Sequence, residues 1–160
     1  MKILIISDTH RVHKYYDKMF EIEGSADLLI HLGDVEGGEY YIEQTAGCPV
    51  QMVAGNNDWF TQLPKEKVFL IGNKRVLITH GHYYHISSGY DRILQEALRR
   101  NVDIVMFGHT HRPVQEERLG VLLLNPGSIS LPRQQGRRCT YMVMEINEDN
   151  KVNVELKYAD

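Results

Sequence analysis

Short apolar runs bounded by Gly, Asn, Asp or Pro dominate the chain, and such runs are typical of buried β-strands. In the first half they alternate with helical stretches, which predicts parallel strands joined by right-handed crossovers. The predicted order is strand Ile3–Ile6, helix Val12–Glu23, strand Leu28–Leu32, helix Glu39–Ala46 and strand Val50–Val53. This βαβαβ start indicates an α/β fold.

The second half of the chain is richer in strands. Runs at Val68–Ile71 and Val76–Thr79 flank Gly72-Asn73-Lys74, which predicts a hairpin. A helix with one apolar face follows, capped by Ser87 or Ser88, with Asp91 in its first turn and basic residues in its last. The remaining predicted strands are Ile104–Phe107, Val114–Glu117, Val121–Leu124, Thr140–Ile146 and Val152–Tyr158. We therefore predict a mixed two-sheet β-sandwich flanked by helices, with an antiparallel, β-rich C-terminal part.

Composition is that of an ordinary globular protein. The 160 residues are 42% hydrophobic and 24% charged, and no repeat or linker divides them, which predicts a single domain over 1–160. The net charge is −3 and the basic residues are scattered, which argues against a nucleic-acid stripe. Two cysteines, no signal peptide and no long apolar run favour a soluble, cytoplasmic protein without a membrane span.

Metal-ligand residues follow five of the predicted strands within a few positions. Carboxyl ends of strands line the ligand crevice in α/β sheets, so we expect these side chains to converge. In Asp8-Thr9-His10 and His109-Thr110-His111, an extended backbone would turn both outer side chains to one side. Gly33, Gly55 and Gly108 would allow sharp turns and close backbone approach. The seven candidate ligands are Asp8, His10, Asp34, Asn56, His80, His109 and His111.

Any one of these residues alone would be weak evidence, because a lone Asp is usually a cap and a lone His usually packs. Their recurrence points to metal, and N/O ligands without cysteine suit borderline or hard divalent ions. Seven ligands are too many for one catalytic ion with an open position, but they suit two ions roughly 3.5–4 Å apart. Two dications, Asp8, Asp34 and a bridging hydroxide leave one positive charge, which favours a phosphate anion.

The order of the motifs Asp8-x-His10, Gly33-Asp34, Gly55-Asn56, His80 and Gly108-His109-x-His111 resembles the calcineurin-like metallophosphoesterase superfamily. The short length and Asn125-Pro126-Gly127-Ser128 make the chain similar to its small prokaryotic phosphodiesterase branch. The resemblance implies a two-sheet sandwich with a dinuclear metal centre. It implies a first metal held by Asp8, His10, Asp34 and His111, and a second held by Asp34, Asn56, His80 and His109, with Asp34 as the bridge.

The sequence departs from the family pattern at Asn57, where many relatives carry a His that stabilises or protonates the leaving group. His82, two residues after His80, is an alternative source of that proton or a residue that supports a ligand. We name Asn57 and His82 as the catalytic candidates. His31, inside a strand, is expected to be a packing residue. Candidate substrate contacts are Arg11 and Arg112, which follow ligands, and Asn125 and Ser128.

These observations predict a dinuclear-metal phosphodiesterase in which a metal-bridging hydroxide attacks the phosphorus of a small phosphate ester. Manganese is the favoured metal, with nickel, iron, cobalt or zinc as alternatives. Two other functions stay open: a phosphomonoesterase or nucleotidase with the same site, and a non-catalytic binding scaffold. The second resembles a retromer subunit that keeps this fold with altered motifs. A homo-oligomer is compatible with the sequence.

Overall fold

Ten strands and three helices make up the fold, and the computed structural model describes all 160 residues. The helices are α1 (Lys14–Glu23), α2 (Glu39–Thr45) and α3 (Asp91–Arg99). The strands are β1 (Lys2–Ile6), β2 (Leu28–His31), β3 (Val50–Met52), β4 (Glu66–Ile71), β5 (Lys74–Thr79), β6 (Ile104–Met106), β7 (Pro113–Arg118), β8 (Val121–Pro126), β9 (Thr140–Ile146) and β10 (Val152–Tyr158).

The strands form two five-stranded mixed sheets. The first has the order β10-β9-β1-β2-β3. In it β1, β2 and β3 are parallel to one another, β9 pairs antiparallel with β1, and β10 pairs antiparallel with β9. The second has the order β4-β5-β6-β8-β7, in which β5, β6 and β8 are parallel. Its two edge strands are antiparallel to their neighbours: β4 forms a hairpin with β5 around Gly72, and β7 pairs with β8. The predicted mixed two-sheet sandwich is confirmed.

The two-residue period of β1 shows how the strands divide their side chains. Ile3 and Ile5 belong to the apolar core between the two sheets, whereas Leu4 and Ile6 face outward. The outward side packs against α1 and α2 through Met19 and other apolar residues. The second sheet repeats this arrangement with α3 on its outer face. The layers therefore run helix, sheet, sheet, helix, and strand ends of both sheets are free to carry a site.

The start of α3 differs from the prediction. Ser87 and Ser88 lie in a separate 3₁₀ turn (Ile86–Ser88), and the helix is preceded by Tyr90, which makes no side-chain cap hydrogen bond. Gly89, with φ of 135°, turns the chain between the two elements, so Ser88 and Ser87 lie two and three residues before the N-cap position. The predicted serine cap is therefore wrong, although Asp91 does occupy the first helical turn.

Length and apolar content of the helices bear on membrane insertion. None of the helices combines the length and the apolar character required to cross a bilayer.

Candidate metal centre

Seven side chains meet where strands of both sheets end. Asp8 and His10 follow β1, Asp34 follows β2 and Asn56 follows β3, all in the first sheet. His80 follows β5 and the two remaining histidines follow β6, in the second sheet. One ligand atom from each of Asp8, His10, Asp34 and His111 lies within 4.8 Å of the others. The predicted convergence of ligand side chains is therefore observed.

Hydrogen bonds fix the tautomer of three of these histidines. The Nδ1–H of His10 donates to Glu36 Oε1 at 2.5 Å. The Nδ1–H of His80 donates to the Leu32 carbonyl at 2.7 Å, and that of His111 donates to the Leu131 carbonyl at 2.6 Å. A neutral imidazole that donates through Nδ1 carries its lone pair on Nε2. In its neutral form each of the three rings therefore presents an Nε2 acceptor to the centre, as histidine ligands of metals do.

Acceptor atoms face one another across the centre. His111 Nε2 lies 3.0 Å from Asp8 Oδ1 and 3.4 Å from His10 Nε2. Asp8 is fully buried, and its Oδ1 has no hydrogen-bond partner. Lone pairs held this close and away from water repel one another unless a cation lies between them. The first group of candidate ligands, Asp8, His10, Asp34 and His111, is thus suited to hold a positive charge.

A second group of candidate ligand atoms adjoins the first. Asn56 Oδ1 lies 3.0 Å from His80 Nε2 and 2.9 Å from His109 Nδ1. Asp34 Oδ2 lies 3.5 Å from His80 Nε2 and 3.7 Å from His10 Nε2. Because it reaches a histidine of each group, Asp34 is the side chain placed to ligate on both sides.

The ionisation of the buried acids agrees with this picture. Burial favours the neutral form of Asp8, but when the facing ring nitrogens carry protons, a hydrogen bond from His111 and the charge of His80 hold the pKa of Asp8 below its usual value. Burial likewise acts against ionised Asp34, yet hydrogen bonds from protonated His80 and from Asn57 lower its pKa well below the usual range. Burial alone would lower the pKa of His80, but the carboxylates of Asp34 and Asp8 act more strongly and raise it above its usual value. Protons and metal ions therefore compete for this centre.

The backbone at the ligands corrects one sequence argument. Asp8 and His10 have φ of 57° and 45°, and His109 and His111 have φ of 69° and 56°. These residues adopt the left-handed conformation, so the prediction that each pair lies on extended backbone was wrong. His111 joins Asp8 while His109 joins Asn56, because the turn sends the two rings to different groups. Left-handed non-glycine residues cost roughly 1–3 kcal/mol each, which the surrounding contacts must offset.

Two glycines are required by close packing at the centre. A Cβ at Gly55 would lie 2.1 Å from Asp34 Oδ1, and a Cβ at Gly108 would lie 2.0 Å from Ser7 Oγ. Both distances are far below any real contact, so a side chain at either position would displace a ligand or its neighbour. The close approach predicted for these glycines is confirmed.

A family comparison decides what kind of protein carries this centre. A family model for the calcineurin-like phosphoesterase superfamily domain matches residues 1–149. The chain belongs to this superfamily. Phosphodiesterase YfcE of Escherichia coli K12 is 39% identical over 158 residues, covering 83% of this chain and 82% of that protein.

Solved structures of the superfamily share the fold. A conserved, predicted phosphoesterase from Streptococcus pneumoniae TIGR4 has a TM-score of 0.85 and 28% identity, covering 99% of this chain and 89% of that one. Wild-type Vps29 of Entamoeba histolytica, complexed with Zn²⁺, has a TM-score of 0.79 and 25% identity over all of both chains. A predicted bacterial phosphoesterase and a Vps29 protein are thus both built on this fold.

Sequence reasoning missed two acidic residues that organise the centre. The Asp58 carboxylate accepts hydrogen bonds from the backbone N–H groups of Asp34, Glu36 and Gly55 at 2.6–2.8 Å. It therefore holds the loop after β2 against the loop after β3. Glu36 orients His10 through the hydrogen bond described above. The available signal was their position, two residues after the ligands Asp34 and Asn56.

Glu36 is expected to strengthen metal binding without touching the metal. We expect Glu36→Gln, which keeps an acceptor but loses the charge, to weaken Mn²⁺ binding about tenfold, and Glu36→Ala to weaken it up to about a hundredfold. Calorimetric titration of metal-free protein measures both constants. Glu39→Gln is the matched control, because Glu39 accepts a hydrogen bond from Thr61 and none from a ligand. Equal affinity in all four proteins would contradict the role given to Glu36.

The catalytic candidates occupy different places around the centre. Asn57 donates its backbone N–H to Asp34 Oδ1 at 2.9 Å and its side-chain N–H to Asp34 Oδ2 at 2.8 Å. His82 is half-buried, with its ring centroid 5.4 Å from that of His80 and its Nδ1 without a partner. Burial, followed by the charges of His80 and His109, lowers the pKa of His82 to about 4. Transfer of a proton by His82 stays a prediction.

The predicted substrate contacts fall into two classes. Arg11 and Arg112 are exposed, and Arg11 Nε donates to the Glu36 carbonyl. Asn125 and Ser128 are fully buried: Asn125 donates to the Gly108 carbonyl, and Ser128 donates to the Asp8 carbonyl. Their hydrogen bonds hold the ligand-bearing loops, and contact of any of the four with substrate stays a prediction.

His31 is the buried histidine that does not take part in the centre. Its Nδ1 accepts from the Gly33 N–H at 3.2 Å, so its Nε2–H donates to Thr9 Oγ1 at 3.0 Å. Both ring nitrogens are used, and the ring is fully buried, which confirms the predicted packing role. Burial lowers the pKa of His31 to about 4.

Folding stability should therefore carry a His31 contribution that depends on pH. The folded pKa is depressed, so the unfolded chain takes up the proton first and stability falls as pH drops below about 6.5. Between pH 7 and pH 5 the titration of His31 should lower the free energy of unfolding by about 2 kcal/mol. Urea unfolding in EDTA at both pH values would measure it. His31→Asn does not titrate, so its loss of stability over this interval should be smaller by that amount. An identical loss in both proteins would contradict a neutral, buried His31.

Proposed function

We propose that this protein is a metal-dependent phosphodiesterase with a dinuclear centre. One observation carries the proposal: two adjacent groups of candidate metal-ligating side chains share the carboxylate of Asp34. Such an arrangement suits two cations bridged by one carboxylate. Membership of the superfamily and the phosphodiesterase name of YfcE support the reaction class.

The charge of the centre suits a phosphate ester. The ligands contribute two negative charges, from Asp8 and Asp34, while the histidines and Asn56 are neutral as ligands. Two divalent ions, when bound, exceed that charge and supply both Lewis acidity toward phosphate oxygens and a water nucleophile of lowered pKa. Mixed imidazole and carboxylate ligation favours manganese, with nickel, iron, cobalt or zinc as alternatives.

The chain's own residues hold and orient the reacting groups. Glu36 and the Leu32 and Leu131 carbonyls keep three imidazole rings in one tautomer, so no ligand has to turn when substrate enters. Asn57 lies beside the Asp34 carboxylate, which would bridge the two ions, and offers N–H groups but no acidic proton. Arg11, exposed beside Glu36, is the cation placed to meet an ester oxygen.

A diester is favoured over a monoester for an electrostatic reason. A phosphomonoester dianion carries two negative charges, which exceed the single positive charge expected at the centre, and Asn57 offers no acidic proton to the leaving group. A diester carries one charge less and suits the small positive excess at the centre.

The test combines metal content with substrate choice. Metal-free protein is reconstituted with each candidate ion, analysed for metal, and assayed on bis(4-nitrophenyl) phosphate and 4-nitrophenyl phosphate, which share a leaving group. We expect two ions per chain and a kcat/KM at least about tenfold higher for the diester. A reversed preference would indicate a phosphomonoesterase or nucleotidase. Two bound ions without turnover of either compound would indicate a binding scaffold.

A further inference from the structure

A cleft of about 340 Å³ opens directly beside the metal centre. Its volume is at the lower end of small-molecule sites, which span roughly 300–1,000 Å³. Glu36 and Asn57 line it, and each also contacts a ligand side chain, His10 or Asp34. A molecule whose phosphate reached the centre would therefore place an adjoining ester group in this cleft.

Two aromatic side chains at the cleft are largely exposed to solvent. Trp59 is 82% exposed and Phe60 is 105% exposed, and both line the cleft. Adjacent aromatic side chains beside a concave site are typical of binding surfaces, because burying them against a ligand is favourable.

The loop that carries the aromatic pair is anchored on both sides. Asp58 holds its start through three backbone N–H groups. The Ala54 N–H donates to the Pro64 carbonyl at 2.8 Å and closes the loop at its base. Thr61 donates to Glu39 at 2.9 Å and accepts from the Leu63 N–H. The rings are thus presented from an anchored backbone, which reduces the entropy lost when a ligand stacks on them.

Charges in the cleft leave one cation available. The carboxylates of Asp58, Glu36 and Glu39 each accept a hydrogen bond from within the protein. Arg11 lines the cleft, forms no ion pair, and uses only its Nε in a hydrogen bond to the Glu36 carbonyl. The cleft therefore offers two aromatic faces and one free guanidinium edge next to a phosphate site.

We propose that this cleft binds a planar heteroaromatic group of nucleobase type, carried on the phosphodiester substrate and stacked on Trp59 or Phe60. The proposal rests on the proposed phosphodiesterase function and names the substrate class of the same site. Stacking on an aromatic side chain accepts any base, because every base presents a π-face. The guanidinium of Arg11 is placed to meet the phosphate that joins the base-bearing group to the centre.

Binding can be tested without turnover, because Trp59 is the sole tryptophan of the chain. AMP should quench its fluorescence to saturation, whereas ribose 5-phosphate, which has the phosphate but no base, should leave it unchanged. Phe60→Ala, which keeps the reporter, should weaken AMP binding about tenfold. Equal quenching by both compounds, or quenching by neither, would overturn the proposal whether or not the protein is a phosphodiesterase.

Matched substrates test the same idea during turnover. Ethyl 4-nitrophenyl phosphate and thymidine 5′-(4-nitrophenyl phosphate) share one leaving group and differ only in the group assigned to the cleft. We expect a kcat/KM ratio of about ten or more in favour of the thymidine ester, falling about tenfold in Trp59→Ala and in Phe60→Ala. Tyr40→Ala removes an equally open aromatic that does not line the cleft, and it should keep the ratio.

The outcomes separate the two proposals. Turnover of both esters at equal rates would overturn the cleft assignment and leave the phosphodiesterase intact. Saturable AMP quenching without turnover of either ester would support the cleft and contradict the enzyme. If Trp59→Ala and Phe60→Ala convert a dimer to a monomer in size-exclusion chromatography and leave the ratio unchanged, the aromatic pair is a contact between copies of this chain and the proposal fails.

Discussion

Asp34→Asn is expected to remove most of the activity and part of the bound metal together. The substitution keeps the shape of the side chain, but it takes away the charge that lies between the two ligand groups. A neutral amide is a poor bridging ligand, so we expect metal content to fall from two ions per chain to one or fewer. We expect kcat to fall by roughly 10³-fold, equivalent to about 4 kcal/mol of transition-state stabilisation.

Elemental analysis and diesterase assays on the same preparation would measure both effects. Asp149→Asn is the matched control, since Asp149 lies in the exposed turn between β9 and β10. Far-UV circular dichroism of each variant separates loss of ligation from loss of fold. Two ions per chain with near-normal turnover in Asp34→Asn would defeat the bridging assignment.

Leaving-group chemistry should show the second large effect. Asparagine at position 57 can donate a hydrogen bond but delivers no proton, so an alkoxide would depart almost unaided. General acid catalysis contributes roughly 10²–10⁴-fold where it is present. We therefore expect aryl diesters to be cleaved faster than alkyl diesters by a factor within that range, with a steep dependence of log kcat/KM on leaving-group pKa.

A series of diesters with graded leaving groups measures that slope in the native protein, in His82→Ala and in His85→Ala. His85 is the control, because it is exposed three residues beyond His82. A shallow slope that becomes steep only in His82→Ala would transfer the proton-donating role to His82. A shallow slope in all three would contradict both accounts of the leaving group.

The sequence predicted the fold and the convergence of the ligands because both follow from simple periodicities. Alternation along β1 divides Ile3 from Leu4, and this two-residue period determines which sheet face each side chain takes. The meeting of these seven side chains could be predicted because five strands end in residues of one chemical class. Parallel strands bring their carboxyl ends to one edge without any knowledge of side-chain geometry.

Local backbone conformation could not be predicted in the same way. Left-handed φ angles at Asp8 and His111 are imposed by contacts from distant parts of the chain, such as the hydrogen bond from Ser128 to the Asp8 carbonyl. Glu36 and Asp58 were missed for a related reason. Their sequence neighbourhood reads as an ordinary polar loop, and only the folded structure shows that Asp58 connects two loops.

The division of ligands between the two sheets has a mechanical consequence. Asp8 and Asn56 extend from one sheet, whereas His80 and His111 extend from the other, and the layers between them are joined mainly by apolar packing. Ions bound by residues of both sheets would cross-link the sheets at one end of the sandwich. This cross-link would restrict the conformations of the loops that connect those residues. Chelation would thus release a cross-link between the two sheets as well as a cofactor.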